Sequence, residues 1–169
     1  MKKATWVLAG VVLFLIISMS TAQAAEKLAS VDLNAIASGY NKVKDYTKKL
    51  EDKAKGYKAE LDKKYNDIKQ LQDKINLLSD KEKQAKAGEL KAKAQDIINF
   101  KQQKQDELDK QDFENSKEIA DDVKKTITSY AAKEGYTIVF DDRTLIYQSK
   151  EVTDITPKVI EALNKGYKK

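Results

Sequence analysis

The chain has 169 residues, with 32 Lys+Arg against 27 Asp+Glu, one Pro, six Gly, and neither Cys nor His. Without His or Cys it lacks the commonest zinc ligands, the commonest general base and the thiol nucleophile, and no disulfide can tie the fold. Charged residues at 35% and a single Pro favour long helices over a sandwich of short strands.

Residues 1–24 read as a secretory signal. Lys2 and Lys3 give the positive start, residues 6–19 are apolar apart from Gly10 and Ser18, and Ala22-Gln23-Ala24 fits the small-x-small cleavage rule. The run falls short of the about 20 apolar residues of a spanning helix. Cleavage after Ala24 and an extracytoplasmic location are therefore expected. Residues 25–169 keep 30 basic and 27 acidic groups and lose the only Trp and both Met. Their apolar fraction is about 37%, thin for a globular core, so an elongated or oligomerising chain is expected.

Leu28-Ala29-Ser30-Val31 is a short apolar segment of strand type, followed by Asp32 and Asn34, either of which can cap a helix. From Tyr40 a 3-4 alternation sets in: Tyr40, Val43, Thr47, Leu50, Ala54, Tyr57, Leu61, Lys64, Ile68, Leu71, Ile75, Leu78. All but Thr47 and Lys64 are apolar, and the 3.5-residue period is that of a coiled-coil seam. The pattern stops at Ser79-Asp80-Lys81-Glu82, a capping box that starts a second helix. That helix is expected to run to Glu134, where Gly135 supplies the left-handed cap. Folding back at residue 79 pairs Ile68 with Leu90, Leu61 with Ile97, and Leu50 with Leu108, each with residue numbers summing to 158, and Tyr40 with Ile119 at 159. This constancy predicts an intramolecular antiparallel hairpin with a first helix about 65 Å long. No apolar residue lies between Lys101 and Glu107, and Gly56 lies in the first helix, so the arm is expected to bend in its middle.

Charge is uneven along the hairpin. Residues 63–93 carry nine Lys and five acids, and residues 94–123 carry four Lys and nine acids. The basic tip, with Lys74, Lys81, Lys83, Lys86 and Lys91, is a candidate for contact with an anionic membrane surface or charged clients. No nucleic-acid motif is present.

Beyond Gly135, Tyr136-Thr137-Ile138-Val139-Phe140 predicts a strand, Asp141-Asp142-Arg143 a turn, and Thr144-Leu145-Ile146-Tyr147 a returning strand. Thr156 and Pro157 read as N-cap and first residue of a last helix, with Val159, Ile160 and Leu163 as its apolar face and Gly166 at its end. Edge strands left open invite closure between subunits. The fold class is mainly α with a small β body: residues 25–34 and 135–169 form the body, and residues 35–134 form a hairpin arm with its tip near 79–80.

This order resembles the Skp (OmpH) family of periplasmic chaperones. Val31-Asp32-Leu33 with Tyr40 and Leu50-Glu51, the tip Leu78-Ser79-Asp80-Lys81-Glu82, and Glu134-Gly135-Tyr136 through Ile138-Val139-Phe140-Asp141, Leu145-Ile146-Tyr147, Asp154-Ile155-Thr156, Val159-Ile160 and Leu163-Asn164 carry the resemblance. Asn41 departs from it where the family often has Pro, as does one extra residue around Thr153. The resemblance implies a periplasmic homotrimer whose strands close as a β-barrel and whose arms hold unfolded outer-membrane proteins without ATP. No cofactor and no metal is called for, and no phosphate-binding glycine loop follows the signal.

Adjacent apolar pairs single out client-contact candidates. Leu77-Leu78 and Ile97-Ile98 stand about 100° apart on a helix, so one member of each leaves the seam. Leu77 and Ile98, with Phe100 and Phe113, are the candidates for lining a client cavity. Val31, Tyr136, Ile138, Phe140, Leu145 and Tyr147 are assigned to the trimer body. The rival reading is a structural coiled-coil adaptor or tether of the cell envelope. An enzyme would have only Asp141-Asp142-Arg143 to offer, and a turn explains those residues.

Overall fold

The computed structural model describes residues 26–168. The expected signal, with its expected cleavage after Ala24, falls on residues outside those described. In chain order the elements are strand β1 (Leu28–Val31), helix α1 (Leu33–Gly39), helix α2 (Asn41–Asn76), helix α3 (Asp80–Glu134), strand β2 (Ile138–Asp141), a 3-10 turn (Asp142–Thr144), strand β3 (Thr153–Asp154) and helix α4 (Thr156–Gly166).

Local chemistry sets most boundaries. The Asp32 carboxylate accepts from the amides of Asn34 at 2.8 Å and Ala35 at 3.0 Å and starts α1. At the tip, the Glu82 carboxylate accepts from the Ser79 amide at 3.0 Å and from its hydroxyl at 2.5 Å. Gly135 ends α3 with φ 74°, a left-handed conformation that glycine adopts without a Cβ clash. The last helix begins one residue earlier than the sequence suggests. Ile155 is its cap, Thr156 lies inside it, and the Thr156 hydroxyl accepts from the Asp32 amide at 2.9 Å instead of capping.

The sheet corrects the sequence expectation most. Its order is β2-β1-β3, and both pairings are parallel, Leu28 facing Ile138 and Ala29 facing Thr153. No returning strand forms at Thr144–Tyr147, so there is no β-hairpin. Asp141 bends the chain instead: its carboxylate accepts from the Arg143 amide at 3.1 Å and binds the Arg143 guanidinium at 2.6 Å, and its carbonyl accepts from the Thr144 hydroxyl at 2.7 Å. These bonds wind residues 142–144 into a 3-10 turn that points the chain away from β2. The free side of β1 is then taken by Thr153–Asp154. The sheet of the single chain is open, with unpaired edges on β2 and β3.

One face of this sheet carries the core of the body. Ala29, Val31, Ile36, Tyr40, Ile155, Val159 and Leu163 are buried together. The first arm helix is also shorter than predicted, because the helix breaks at Tyr40, whose backbone is extended at φ −81° and ψ 118°. Helix α2, of 36 residues, spans about 54 Å, and α3, of 55 residues, about 80 Å.

Candidate functional site

The arm is the antiparallel pair α2–α3. On α2, residues Tyr57, Leu61, Lys64, Ile68, Leu71, Ile75 and Leu78 beyond its end are half-buried between exposed neighbours, which is the predicted seam; Thr47 and Ala54 are exposed. Side-chain bonds across the hairpin run slightly out of the 158 register: Lys64 with Asp96 gives 160, and Tyr57 with Glu107 gives 164. Helical side chains tilt toward their own N-termini, so in an antiparallel pair they meet residues further toward the body than the Cα positions suggest.

The partner stripe on α3 is polar where no apolar residue falls on it. Lys104 and Gln111 are half-buried and Asn115 is buried. Lys104 bridges the mid-arm gap, with its ammonium 2.8 Å from Glu107 and 4.6 Å from the centre of the Tyr57 ring. The Tyr57 hydroxyl donates to Glu107 at 2.7 Å. Hydrogen bonds from Lys104 and Tyr57 hold the Glu107 carboxyl below its usual range.

The root of the arm is a charge cluster built on one buried lysine. Lys42 is 8% exposed, and its ammonium contacts Glu118 at 2.5 Å and Asp122 at 2.7 Å. The Tyr40 hydroxyl donates to Asp122 at 2.9 Å and that of Tyr46 to Glu118 at 2.5 Å. Burial pushes the Tyr40 phenol up to about 12, helped by its bond to Asp122. Burial alone would lower Lys42, but its bonds to Asp122 and Glu118 outweigh that and raise it. The Glu118 carboxyl is lowered by bonds from Lys42 and Tyr46. Burial opposes the lowering of Asp122, and the bonds from Lys42 and Tyr40 prevail.

The predicted client-contact residues divide. Leu77, Ile98 and Phe113 are 88%, 59% and 71% exposed. Phe100 is half-buried on the seam flank, with Lys64 at 5.1 Å and Lys104 at 5.9 Å from its ring centre. The exposed three do not converge on one point. Leu77 is at the tip, while Ile98 and Phe113 lie about 27 Å and 50 Å down α3 from its start. Sequence reading missed an apolar groove of about 560 Å³ at the root, lined by Leu33, Val43, Ile119, Val123 and Ile127. The spacing of Ile119, Val123 and Ile127, four residues apart, was the available signal.

At the tip, Lys74, Lys81, Lys86 and Lys91 are exposed and Lys83 is half-buried. Lys86 pairs with Glu89 at 2.7 Å and Lys83 lies 3.8 Å from Asp80. Of the residues assigned to a trimer body, Val31 is inside the core of the single chain. Tyr136, Phe140 and Leu145 are half-buried, while Ile138 is 43% and Tyr147 83% exposed.

Comparison with known proteins fits this architecture. The family model described as Outer membrane protein (OmpH-like) matches residues 27–163. The Chaperone protein Skp of Blochmanniella pennsylvanica is 30% identical over 95% of this chain and 98% of its own. That of Pectobacterium atrosepticum is 28% identical with the same coverage. A solved OmpH-like structure from Caulobacter crescentus superposes with a TM-score of 0.75 at 15% identity, over 84% of this chain and 86% of that one, and shares the fold. A charged two-helix arm on a small open sheet, matched along nearly its whole described length, places this chain in the OmpH-like outer membrane protein family, together with the Skp chaperones.

Proposed function

We propose that this chain is an ATP-independent periplasmic holdase that binds unfolded outer-membrane proteins and prevents their aggregation before insertion. The observation that carries the reading is the row of exposed apolar side chains, Leu77, Ile98 and Phe113, along a highly charged arm. Single apolar contacts spaced tens of ångströms apart bind weakly, and an unfolded chain reaches several at once. Avidity then holds the client while each contact still releases quickly. Such contacts ask nothing of the client's sequence beyond scattered apolar residues.

The working form in this reading is a homotrimer. The open edges of β2 and β3, and the exposed Ile138 and Tyr147, are surfaces that a second and third copy would cover as the strands close into a barrel. Three arms then enclose the client. The lysines of the tip are the candidate contact with anionic membrane or lipopolysaccharide, and residues 1–24 would direct export. The named chaperones among the relatives support the reading.

The experiment is dilution of a denatured outer-membrane β-barrel protein, followed by light scattering, with and without residues 25–169. Scattering is expected to fall without ATP. Ile98→Asp combined with Phe113→Asp is expected to weaken the suppression while sedimentation of the chain is unchanged. Undiminished aggregation at excess chain would refute the holdase and favour an envelope adaptor or tether with one fixed partner.

A further inference from the structure

We infer that Asn164 is the positioning residue of the arm, clasping the helix break at which the arm leaves the body. Helix α1 ends at Gly39, Tyr40 is extended, and α2 starts at Asn41. The Asn164 side chain spans this break. Its Oδ1 accepts from the Asn41 amide at 2.8 Å, and its Nδ2 donates to the Gly39 carbonyl at 2.9 Å. A carbonyl at one helix end and an amide at the next are the groups that helices leave without partners. One primary amide satisfies both, and only one orientation of its O and N does so.

Asn164 does not act alone on α4. Two residues on one face of that helix and Tyr167, which caps its end, grip the same joint. Ile160 packs so closely on Gly39 that a Cβ there would lie 2.8 Å from its Cδ1. The Tyr167 hydroxyl donates to Asp45 at 3.1 Å, and its ring meets that of Tyr40 edge-on at 6.0 Å between centres. Residues 160, 164 and 167 follow the helical spacing, and α4 is anchored in the body core through Val159 and Leu163. The arm is a long lever: a change of about 10° at its root moves the tip of α2 by roughly 9 Å. A clasp at the break therefore decides where the arm points.

Asn41 is the first residue of α2, the position where a proline is best tolerated, because its N–H is an orphan and its φ is preset for the helix. The extended conformation of Tyr40 is also the one that a following proline imposes. Asn41→Pro would hold the break covalently and make the bond from Asn164 unnecessary. This gives a rescue that a general loosening of the body would not show.

The chain has no cysteine, so spin labels go only where they are placed. Lys69→Cys on the arm and Lys158→Cys on α4 are both exposed positions. The labelled chain is diluted into unlabelled chain, so that one labelled copy is measured whatever the assembly, and the label–label distance distribution is recorded by pulsed electron resonance without client. Asn164→Ala is expected to widen the distribution by about twofold, as a local contact is released. Adding Asn41→Pro is expected to narrow it again. An unchanged width in Asn164→Ala overturns the inference, and so does a width that Asn41→Pro does not restore. Should Asn164→Ala not fold, Asn164→Asp keeps the acceptor for Asn41 and loses the donor to Gly39. A distribution wider than that of the chain with Asn164 then supports the clasp and an unchanged one overturns it. No client takes part, so the outcome is independent of the holding activity.

Discussion

The charge cluster at the arm root makes an asymmetric prediction. Lys42 is 8% exposed, whereas the side chains of its partners Glu118 and Asp122 are 51% and 35% exposed. Removing the cation leaves two carboxylates that water can reach and that keep the hydroxyls of Tyr46 and Tyr40. Lys42→Met, which also fills the space of the lysine stem, should therefore cost about 1 kcal/mol. Removing both acceptors instead strands an ammonium in a site largely closed to water. Glu118→Ala with Asp122→Ala should cost about 3 kcal/mol, at the low end for a broken buried pair because the long stem lets the ammonium lean toward solvent. The assay is urea unfolding followed by far-UV circular dichroism, at one chain concentration because the proposed assembly would make stability concentration-dependent. The two carboxyls are held below their usual values in the folded chain, so their stabilisation is complete above about pH 5, clear of the unfolded values, and is lost as pH falls through the lower, folded values. The acid loss should be shallower in Lys42→Met. A Lys42→Met variant as destabilised as the double alanine variant, or with an unaltered acid limb, would refute the reasoning.

Two glycines in helices should respond with opposite sign. Gly39→Ala meets Ile160 at 2.8 Å and should lower the unfolding free energy read from the urea curve by about 1–2 kcal/mol, while Gly56→Ala, with nothing within 4 Å, should raise it by about 0.5–1 kcal/mol. The body residues should also separate. Ile138→Asp, at a partly exposed position, is expected to abolish assembly in sedimentation yet keep its helical signal. Val31→Asp buries a carboxylate in the core of each chain and is expected to lose the body fold, at a cost of several kcal/mol.

The parts legible in the sequence were those decided within a few residues. Leu28–Val31 is a strand with the predicted bounds, the tip turns at Ser79, and Gly135 caps α3, because an apolar run, a capping box and a left-handed glycine each act locally. The break at Tyr40 depends on Asn164, 123 residues away from Asn41, and no local breaker other than Gly39 announces it. Thr144-Leu145-Ile146-Tyr147 has the composition of a strand, but the bonds that Asp141 makes to Arg143 and Thr144 wind the chain into a 3-10 turn, and it does not return along the open edge of β2. Parallel pairing was equally hidden, since its crossover from β1 to β2 is the entire arm. Of the four client-contact candidates, Phe100 is the one the structure places on the seam flank: it follows buried Ile97 by three residues, a seam spacing, and the ammonium groups of Lys64 and Lys104 lie over its ring.

The pattern of α3 is harder to explain by stability than by use. Gln111 and Asn115 lie in the seam and bond each other at 3.1 Å, while Phe113, two residues from each, faces water. Helices that pack for stability put the aromatic ring inward and the amides outward, since a buried side chain of this size is worth about 1.5–3 kcal/mol. The same inversion recurs at Lys104 and Ile98, the first half-buried and the second exposed. A polar seam closed by hydrogen bonds and lysine stems is weaker than an apolar one, and it releases apolar groups to the outside of the arm. Local departures from the stable choice, repeated along one helix, are what a surface that must bind apolar chains requires. In this molecule the weak amphipathicity of α3 and the exposed apolar row are therefore one feature: what the seam forgoes in packing is what the arm, on the proposed holdase reading, would present to a client.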